Sequence, residues 1–490
     1  MDAIPPEKHR EDLLTAFNDS QSDYGTSRGY YESEQRPEAI GLAVPREMRK
    51  LLGNVGYPRT YVDSLGDRLD LQGFRLGDEV EADEELWDWW QRNDLDVEST
   101  LGHVDAFVYG RSYVTVAAPD PSDPTADPET PVIRVEPPTT LYAEIDPRTR
   151  KVKRAIRAIA SKPDNPDDID FVTIYLPNQT IFQSKDSGDW ADYLPPVVHN
   201  LGVVPVIPLA NRSRLSDLEG TSEITPELRS VTDAASRVLM NLQAAAELMA
   251  TPQRVLFGLT EEDLVDQNGN RVSPMQAYLA NILTIADEQG SATQFQAAEL
   301  RNYVDALDQL DKKAAAYTGL PPQYLSSTSD NPASADAIRA AESRLVKKAE
   351  RKARVFGGAW EEVMRVAVLV MNPSPQGVDP KYHRLEAMWA DPATPTYAAK
   401  ADAASKLYNS GSGVIPKERA RVDMGYTVEE RKQMRSWDEE EDKALMEAAA
   451  LYGAAPGAPG QPSPDGPEKP ADNAQPRGSA AQQPDASPDA

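Results

Sequence analysis

The chain has 490 residues and no cysteine, and its 51 Lys and Arg face 79 Asp and Glu for a formal charge of −28. Without Cys there are no disulfides, thiolate nucleophiles or Cys-based zinc sites, and His9, His103, His199 and His383 are too scattered for hydrolytic metal chemistry. Such acidity argues against a surface that grips nucleic acid throughout, because phosphate binding needs Lys and Arg in place of counterions.

The polar start, Met1-Asp-Ala-Ile-Pro-Pro6, has no apolar signal segment, and no stretch approaches the roughly 18 apolar residues of a membrane span. A soluble, acidic, intracellular protein of about three structural units is expected. Its first 25 or so residues read as flexible. Gly25-Thr-Ser-Arg-Gly29 matches the G-x-S-x-G nucleophile elbow but lacks the strand that motif requires, so a flexible loop is the better reading.

The stretch to residue 224 reads as mixed α+β. Arg46 to Leu52, Thr60 to Leu69, Glu84 to Arg92 and Glu98 to Tyr109 are expected helices, the last stopped by Gly110. Trp87, Trp89 and Trp90 could stack bases, yet Glu84, Glu85 and Asp88 would repel a phosphate backbone. Core packing or a subunit contact is favoured. Ser112 to Val116, Val132 to Val135, Leu141 to Ile145, Val152 to Ile159 and Phe171 to Leu176 read as short strands with turns between them, an antiparallel sheet beside helices. Asp186-Ser-Gly188 has no second copy to complete an aspartic-protease dyad and reads as a hairpin turn.

From Thr225 the periodicity changes. Thr225 can cap a helix that has Pro226 at its first position, and Leu228, Val231, Ala235, Val238, Leu242, Ala245 and Met249 recur at steps of three and four. Pro252 ends it. A second helix carries Leu300, Val304, Leu307, Leu310, Ala314 and Tyr317 and stops at Gly319. The small module between them contains Asp266-Gln-Asn-Gly-Asn270, whose glycine is misplaced for a Ca²⁺ loop, so a turn is expected.

A third long helix follows the polar loop Ser326-Ser-Thr-Ser-Asp-Asn-Pro-Ala333, with Ser334 as N-cap. Ile338, Ala341, Leu345, Ala349, Phe356, Trp360, Val363, Ala367 and Val370 share one face. Arg344, Lys347, Lys348, Arg351 and Arg354 cluster away from it. This basic stripe is either a solvated face paired with acidic neighbours or a surface that meets phosphate. Gly357-Gly358 predicts a kink. Residues 395–453 read as helical, broken at Asn409-Ser-Gly-Ser-Gly413. The Pro/Ala/Gly-rich stretch 454–490 cannot offset its ordering entropy and is expected to be disordered. No P-loop or dinucleotide fingerprint occurs, and no catalytic, metal or cofactor residue is assigned.

Several segments in order carry a family resemblance. They are Tyr30-Tyr31 with Arg36-Pro37, Asp63-Ser-Leu-Gly-Asp-Arg-Leu-Asp-Leu-Gln-Gly-Phe-Arg75 and Val108-Tyr-Gly-Arg-Ser-Tyr-Val114. His199-Asn-Leu-Gly-Val-Val-Pro-Val206, Gly220-Thr-Ser-Glu-Ile224, Thr318-Gly-Leu-Pro-Pro322 and Asn331-Pro-Ala-Ser-Ala-Asp-Ala-Ile-Arg339 continue the set. Over roughly residues 25–450 the chain resembles the portal proteins of tailed double-stranded DNA bacteriophages of the long-tailed type.

The resemblance implies a helix-rich α+β portal-type fold. A mixed α+β wing would span 1–224, stem helices 225–250 and 297–319, and a small clip 251–296. A tunnel-loop region would span 320–333, a long kinked helix returning to the wing 334–394, and a helical crown 395–453. It implies Ser326, Ser327, Thr328, Ser329, Asp330 and Asn331 in the loop facing DNA. Leu228, Val231, Val238, Leu242, Leu300, Val304 and Leu307 would pack the stem. Arg344, Lys347, Lys348 and Arg351 are the candidates to face phosphate.

The partners so implied are eleven further copies in a dodecameric ring, double-stranded DNA in transit, the terminase large subunit at the clip, major capsid and scaffold proteins, and a head–tail connector. No membrane is involved. The location implied is one capsid vertex of the virion, with assembly in the host cytoplasm. On this reading the charge suits a conduit, because persistent Lys or Arg contacts to phosphate would hold the cargo. The alternative is a capsid-associated scaffold or head–tail adaptor without a channel.

Overall fold

A computed structural model describes residues 5–35, 53–77, 82–162, 168–186, 188–250, 254–258, 282–285, 300–326, 335–374, 376–393, 397–408, 413–426 and 428–451. The expected helix at Arg46 to Leu52, the turn at Asp266 to Asn270, loop residues Ser327 to Asn331 and the 454–490 tail lie outside them. The chain divides into two compact units, Met1–Val428 and Glu429–Ala490.

The start of the first unit corrects the expectation of flexibility. Helix α1 (Pro6–Tyr31) begins with proline at N1, where the lost N–H costs nothing, and runs through Gly25 and Gly29. Its few large apolar residues escape a periodicity search, but Leu13 and Phe17 are buried against Ile156, Val172, Ile174 and Ile181 of a sheet. The G-x-S-x-G match is therefore one helical turn.

That sheet is the antiparallel meander β4 (Leu141–Ile145), β5 (Val152–Ile159), β6 (Phe171–Tyr175), β7 (Gln179–Asp186) and β8 (Asp189–Val198). Asp186 pairs with Asp189 across Gly188, whose φ is 102°, so the hairpin read from Asp186-Ser-Gly188 is present. A second antiparallel sheet orders β3 (Val132–Glu136), β2 (Arg111–Ala117) and β9 (Val206–Ala210). Tyr113 and Val206 from it pack on Leu141, Ala143 and Ala155 of the meander.

The main core lies around helices α2 (Tyr57–Gly66), α3 (Glu84–Arg92), α4 (Leu95–Tyr109) and α7 (Ala335–Met371). Asp83 caps α3 by accepting Leu86 N–H at 3.0 Å, and the three tryptophans of α3 are core residues. The Trp90 ring meets Trp360 of α7 edge-on at 4.9 Å. β1 (Leu71–Leu76) pairs antiparallel with β12 (Leu385–Trp389), a contact with no local sequence signature. α7 is helical throughout, across Gly357 and Gly358. A Cβ at Gly357 would lie 3.1 Å from Trp389 Nε1, so this glycine admits the β12 tryptophan.

Helices α5 (Pro226–Ala250) and α6 (Arg301–Thr318) pack together. Between them in sequence, β10 (Arg254–Phe257) and β11 (Ile282–Ile285) pair in parallel. Helices α8 (Tyr397–Tyr408) and α9 (Lys417–Met424) pack on each other. In the second unit, α10 (Val428–Leu451) exposes Trp437, Leu445 and Met446.

Candidate functional site

Segments far apart in sequence converge where α6 ends and α7 begins. Gly319, with φ of 81°, terminates α6 and donates its N–H to Ala315 O at 2.8 Å. The free carbonyls of that last turn take side-chain donors from α7. Arg344 Nη1 donates to Ala316 O at 2.9 Å and Lys348 Nζ to Thr318 O at 3.3 Å, cations set at the negative end of a helix.

Behind this contact lies a buried polar cluster. Lys352 Nζ meets Glu223 Oε1 at 2.5 Å and also donates to Asn211 Oδ1. Tyr61 of α2 donates its hydroxyl to Glu223 Oε2 at 2.5 Å, Lys348 lies 3.4 Å from the same oxygen, and Asn211 Nδ2 donates to Glu223 Oε1 at 3.1 Å. Burial alone would push the Glu223 carboxyl up, but Lys352, Lys348 and the Tyr61 hydroxyl outweigh it and hold it at about 2. Burial lowers Lys348, partly opposed by Glu223, and raises Tyr61 well above the ordinary phenol range.

The end of β9 that supplies Asn211 and the loop that supplies Glu223 both meet the end of α4 and its turn into β2 backbone to backbone. Gly110 and Gly220 have φ of 94° and 90°, and a Cβ on Gly220 would fall 2.0 Å from Gly110 O. Glu223 N–H donates to Phe107 O at 2.8 Å and Asn211 N–H to Gly110 O at 2.8 Å. Thus the 108–114, 220–224 and 318–322 segments, three of those that carried the resemblance, share one junction.

Past Gly319, the short 3₁₀ turn Pro322–Tyr324 leads to Ser326. Tyr324 donates its hydroxyl to Glu342 Oε1 at 2.6 Å, and Arg68 reaches the Tyr324 oxygen at 3.2 Å and Glu342 at 3.5 Å. The chain is therefore fastened on both sides of 327–334. Of the expected loop residues, Ser326 is described and half-buried, its N–H donating to Pro322 O at 3.0 Å; the remaining five lie outside the described residues.

The basic stripe splits. Lys348 turns inward to Glu223 because an uncompensated buried carboxylate would be costly, which corrects its reading as phosphate-facing. Arg344 caps α6. Lys347 stays exposed beside Glu350 at 3.0 Å, and Arg351 is exposed. Sequence reasoning missed Lys352, whose own helical stretch shows no sign of its distant partner.

Leu228 and Val231 of the expected stem stripe are buried, but further along the inward face passes to Met240 and Ala244, leaving Val238 and Leu242 half-buried. The buried face thus turns along α5 by far more than the roughly 40° that a 3.6-residue turn accumulates against a 3.5 repeat over two heptads. Leu300 and Leu307 are half-buried, and Val304 is 46 % exposed. Among the described residues, no group of three or more His, Cys, Asp or Glu could hold a metal ion, and no helix is long and apolar enough to cross a membrane.

Comparison with known proteins matches residues 17–445 to the model of the SPP1 Gp6-like phage portal proteins. The chain belongs to that family. The portal protein of Mycobacterium phage L5 is 58 % identical over 433 residues, covering 88 % of each chain, and that of Mycobacterium phage D29 is 56 % identical over the same length and shares. Among solved structures, a chain in the neck of a native gene transfer agent particle computed with C12 symmetry is 12 % identical. The match covers 78 % of this chain and 94 % of that one, with a TM-score of 0.36.

Proposed function

We propose that copies of this chain form a ring-shaped channel at one capsid vertex, through which double-stranded DNA is packaged and ejected. The observation that carries this reading is the family match over 17–445, with 58 % identity to the L5 portal protein. The paired helices α5 and α6 serve as the stem, the 251–296 insert as the clip on which the terminase large subunit docks, and α8 to α10 as the crown. Residues Ser326 to Asn331 supply the loop that touches DNA. Hydroxyls and amides without Lys or Arg there give transient contacts, and the charge of −28 on every copy keeps a polyanion moving.

The buried cluster around Glu223 fixes the roots of that loop, so its role is positional; no catalytic step is assigned. The ring meets capsid and scaffold proteins during assembly in the host cytoplasm and a head–tail connector in the virion. Electron microscopy of the purified protein tests this directly. A ring, expected to be twelve-fold, with an axial hole wide enough for duplex DNA is the predicted result. A ring without a hole would favour an adaptor, and a persistent monomer would sink the reading.

A further inference from the structure

A groove in the first unit has a charge opposite to that of the chain. Its walls are the β4–β5 hairpin, the loop after β9 and one flank of α7, around about 640 Å³. Arg150, Arg212, Arg214 and Arg351 line it with Leu215 and Val355, and among the described residues no Asp or Glu side chain does. In a chain of −28 such a surface is not a sample of the average composition.

Three features show that it is built. Arg150 has φ of 58°, a left-handed conformation that favours glycine or asparagine, and its N–H donates to Asp146 O at 2.7 Å to close the hairpin. The loop after β9 is held from within: Arg212 Nε donates to Asp217 O at 2.7 Å. The Asp217 carboxylate accepts Gly220 N–H at 2.8 Å and the Thr221 hydroxyl at 2.7 Å. Its acid thus faces inward, while Arg214 is exposed and Leu215 is 80 % exposed. On α7, a Cβ at Gly358 would meet nothing within 4 Å, so that wall is low and open.

A bare aliphatic side chain among arginines fits a protein surface better than a phosphate backbone, which has no apolar counterpart for Leu215. The chain itself carries the complement. On α4, Val97 and Glu98 share one face with Leu101 by i, i+4 and i, i+3 spacing, with Val97 and Leu101 60 % and 56 % exposed, and the exposed Asp94 stands just before the helix. The start of α4 is pinned to β3, where Ile133 N–H donates to Asn93 Oδ1 at 2.9 Å. The groove instead borders β9 through Pro208 and Ala210. In the order β3-β2-β9 these are opposite edges of one sheet.

We propose that the arginine groove of one copy receives the acidic, aliphatic α4 surface of a second copy of this chain. The two surfaces differ, so the contact is head-to-tail and can repeat around a closed ring. This rests on the ring reading above and deepens it by naming the faces that join.

The absence of native cysteine makes the test direct. Leu215→Cys with Val97→Cys in the full chain supplies the only thiols, which can bridge when their Cα atoms approach within about 7 Å. On a non-reducing gel of assembled rings, this pair should give a ladder of covalent multimers. Either single variant, or Leu215→Cys with Val414→Cys, should give none. Arg214→Glu with Arg351→Glu should lower ring yield roughly tenfold or more, and adding Glu98→Arg should restore part of it. Rings from the 97/215 pair without a ladder would overturn the contact and leave the ring reading standing. A monomeric parent chain with no 97/215 dimers would overturn both. Unchanged ring yield with lost DNA retention in the Arg→Glu pair would assign the groove to phosphate and overturn the proposal.

Discussion

Tyr324 donates its hydroxyl to Glu342 across the 327–334 segment, and Arg68 reaches both. The link joins the chain just before the proposed DNA-facing loop to the second turn of the helix after it. Tyr324→Phe removes the hydroxyl that bonds both Glu342 and Arg68, a loss of about 1–2 kcal/mol. Rings should still form, while DNA packaging or retention in a complementation assay falls. Deleting Ser326–Asp330 should have the same effect more strongly. Normal packaging by the deletion would remove the loop from the DNA path.

Lys352→Met removes the nearer of the two lysines from the buried Glu223 carboxylate and should destabilise the chain by about 3 kcal/mol in urea unfolding. Combining it with Glu223→Gln should recover a large part of that loss. Lys347→Met, which removes an exposed ammonium paired with half-buried Glu350, should stay within about 0.5 kcal/mol of the parent. Equal effects of the two lysine changes would contradict the buried cluster.

Acid sensitivity should appear in two steps. Burial holds His103 at about 3 in the folded chain, against 6.5 ordinarily; Trp360 Nε1 donates to its Nε2 at 2.9 Å. The unfolded chain therefore binds a proton that the folded one refuses, and stability should fall by about 1.4 kcal/mol per pH unit from 6.5 towards 3. Glu223, held at about 2 against 4.5, adds stability that is present above pH 4.5 and lost as pH falls towards 2. Denaturant midpoints at pH 7, 6 and 5 measure the first step. The slope should flatten in His103→Phe, and an unchanged slope would assign it elsewhere.

Val304 is 46 % exposed on α6, whereas Leu307 packs against the main core. Val304→Asp should leave folding nearly intact and lower ring yield, measured by sedimentation. Leu307→Asp should cost about 2 kcal/mol or more in stability and also block assembly. The same loss of rings is expected for Leu239→Asp, since Leu239 lies where a Cβ on Gly53 would stand. Undiminished ring yield in all three would remove α5 and α6 from the stem.

Gly220→Ala would drive a methyl group into Gly110 O and should destabilise by more than about 2 kcal/mol. Gly25→Ala, in the middle of α1 with nothing within 4 Å, should stabilise by about 0.5–1 kcal/mol. A thermal melt of each variant separates the two outcomes.

The long helices were legible in the sequence because their signals are local. Thr225-Pro226 and Gly319 mark the ends, and steps of three and four mark the buried face of α7 and of the first part of α5, up to Ala235. Residues 6–31 were misread because Leu13, Phe17 and Tyr24 are too sparse for a periodic stripe, and only docking on the meander, and for Tyr24 on Tyr109 of α4, buries them. β1 with β12, and Lys352 with Glu223, stayed hidden for a different reason. Each is a pairing between distant segments, and neither partner alone departs from an ordinary strand or a solvated helix. The convergence of Gly110 with Gly220 is a middle case, since glycine is an evident turn residue but its mate is named only by the folded backbone.

The fastening at Tyr324, Glu342 and Arg68 also has a mechanical consequence. A tug on the segment between residues 326 and 335 pulls against side chains already braced from two other parts of the body, and Arg68 is itself tethered to Pro392 O at 2.7 Å. Load therefore spreads into the scaffold instead of peeling a helix end. The moorings on either side stay still under such a pull.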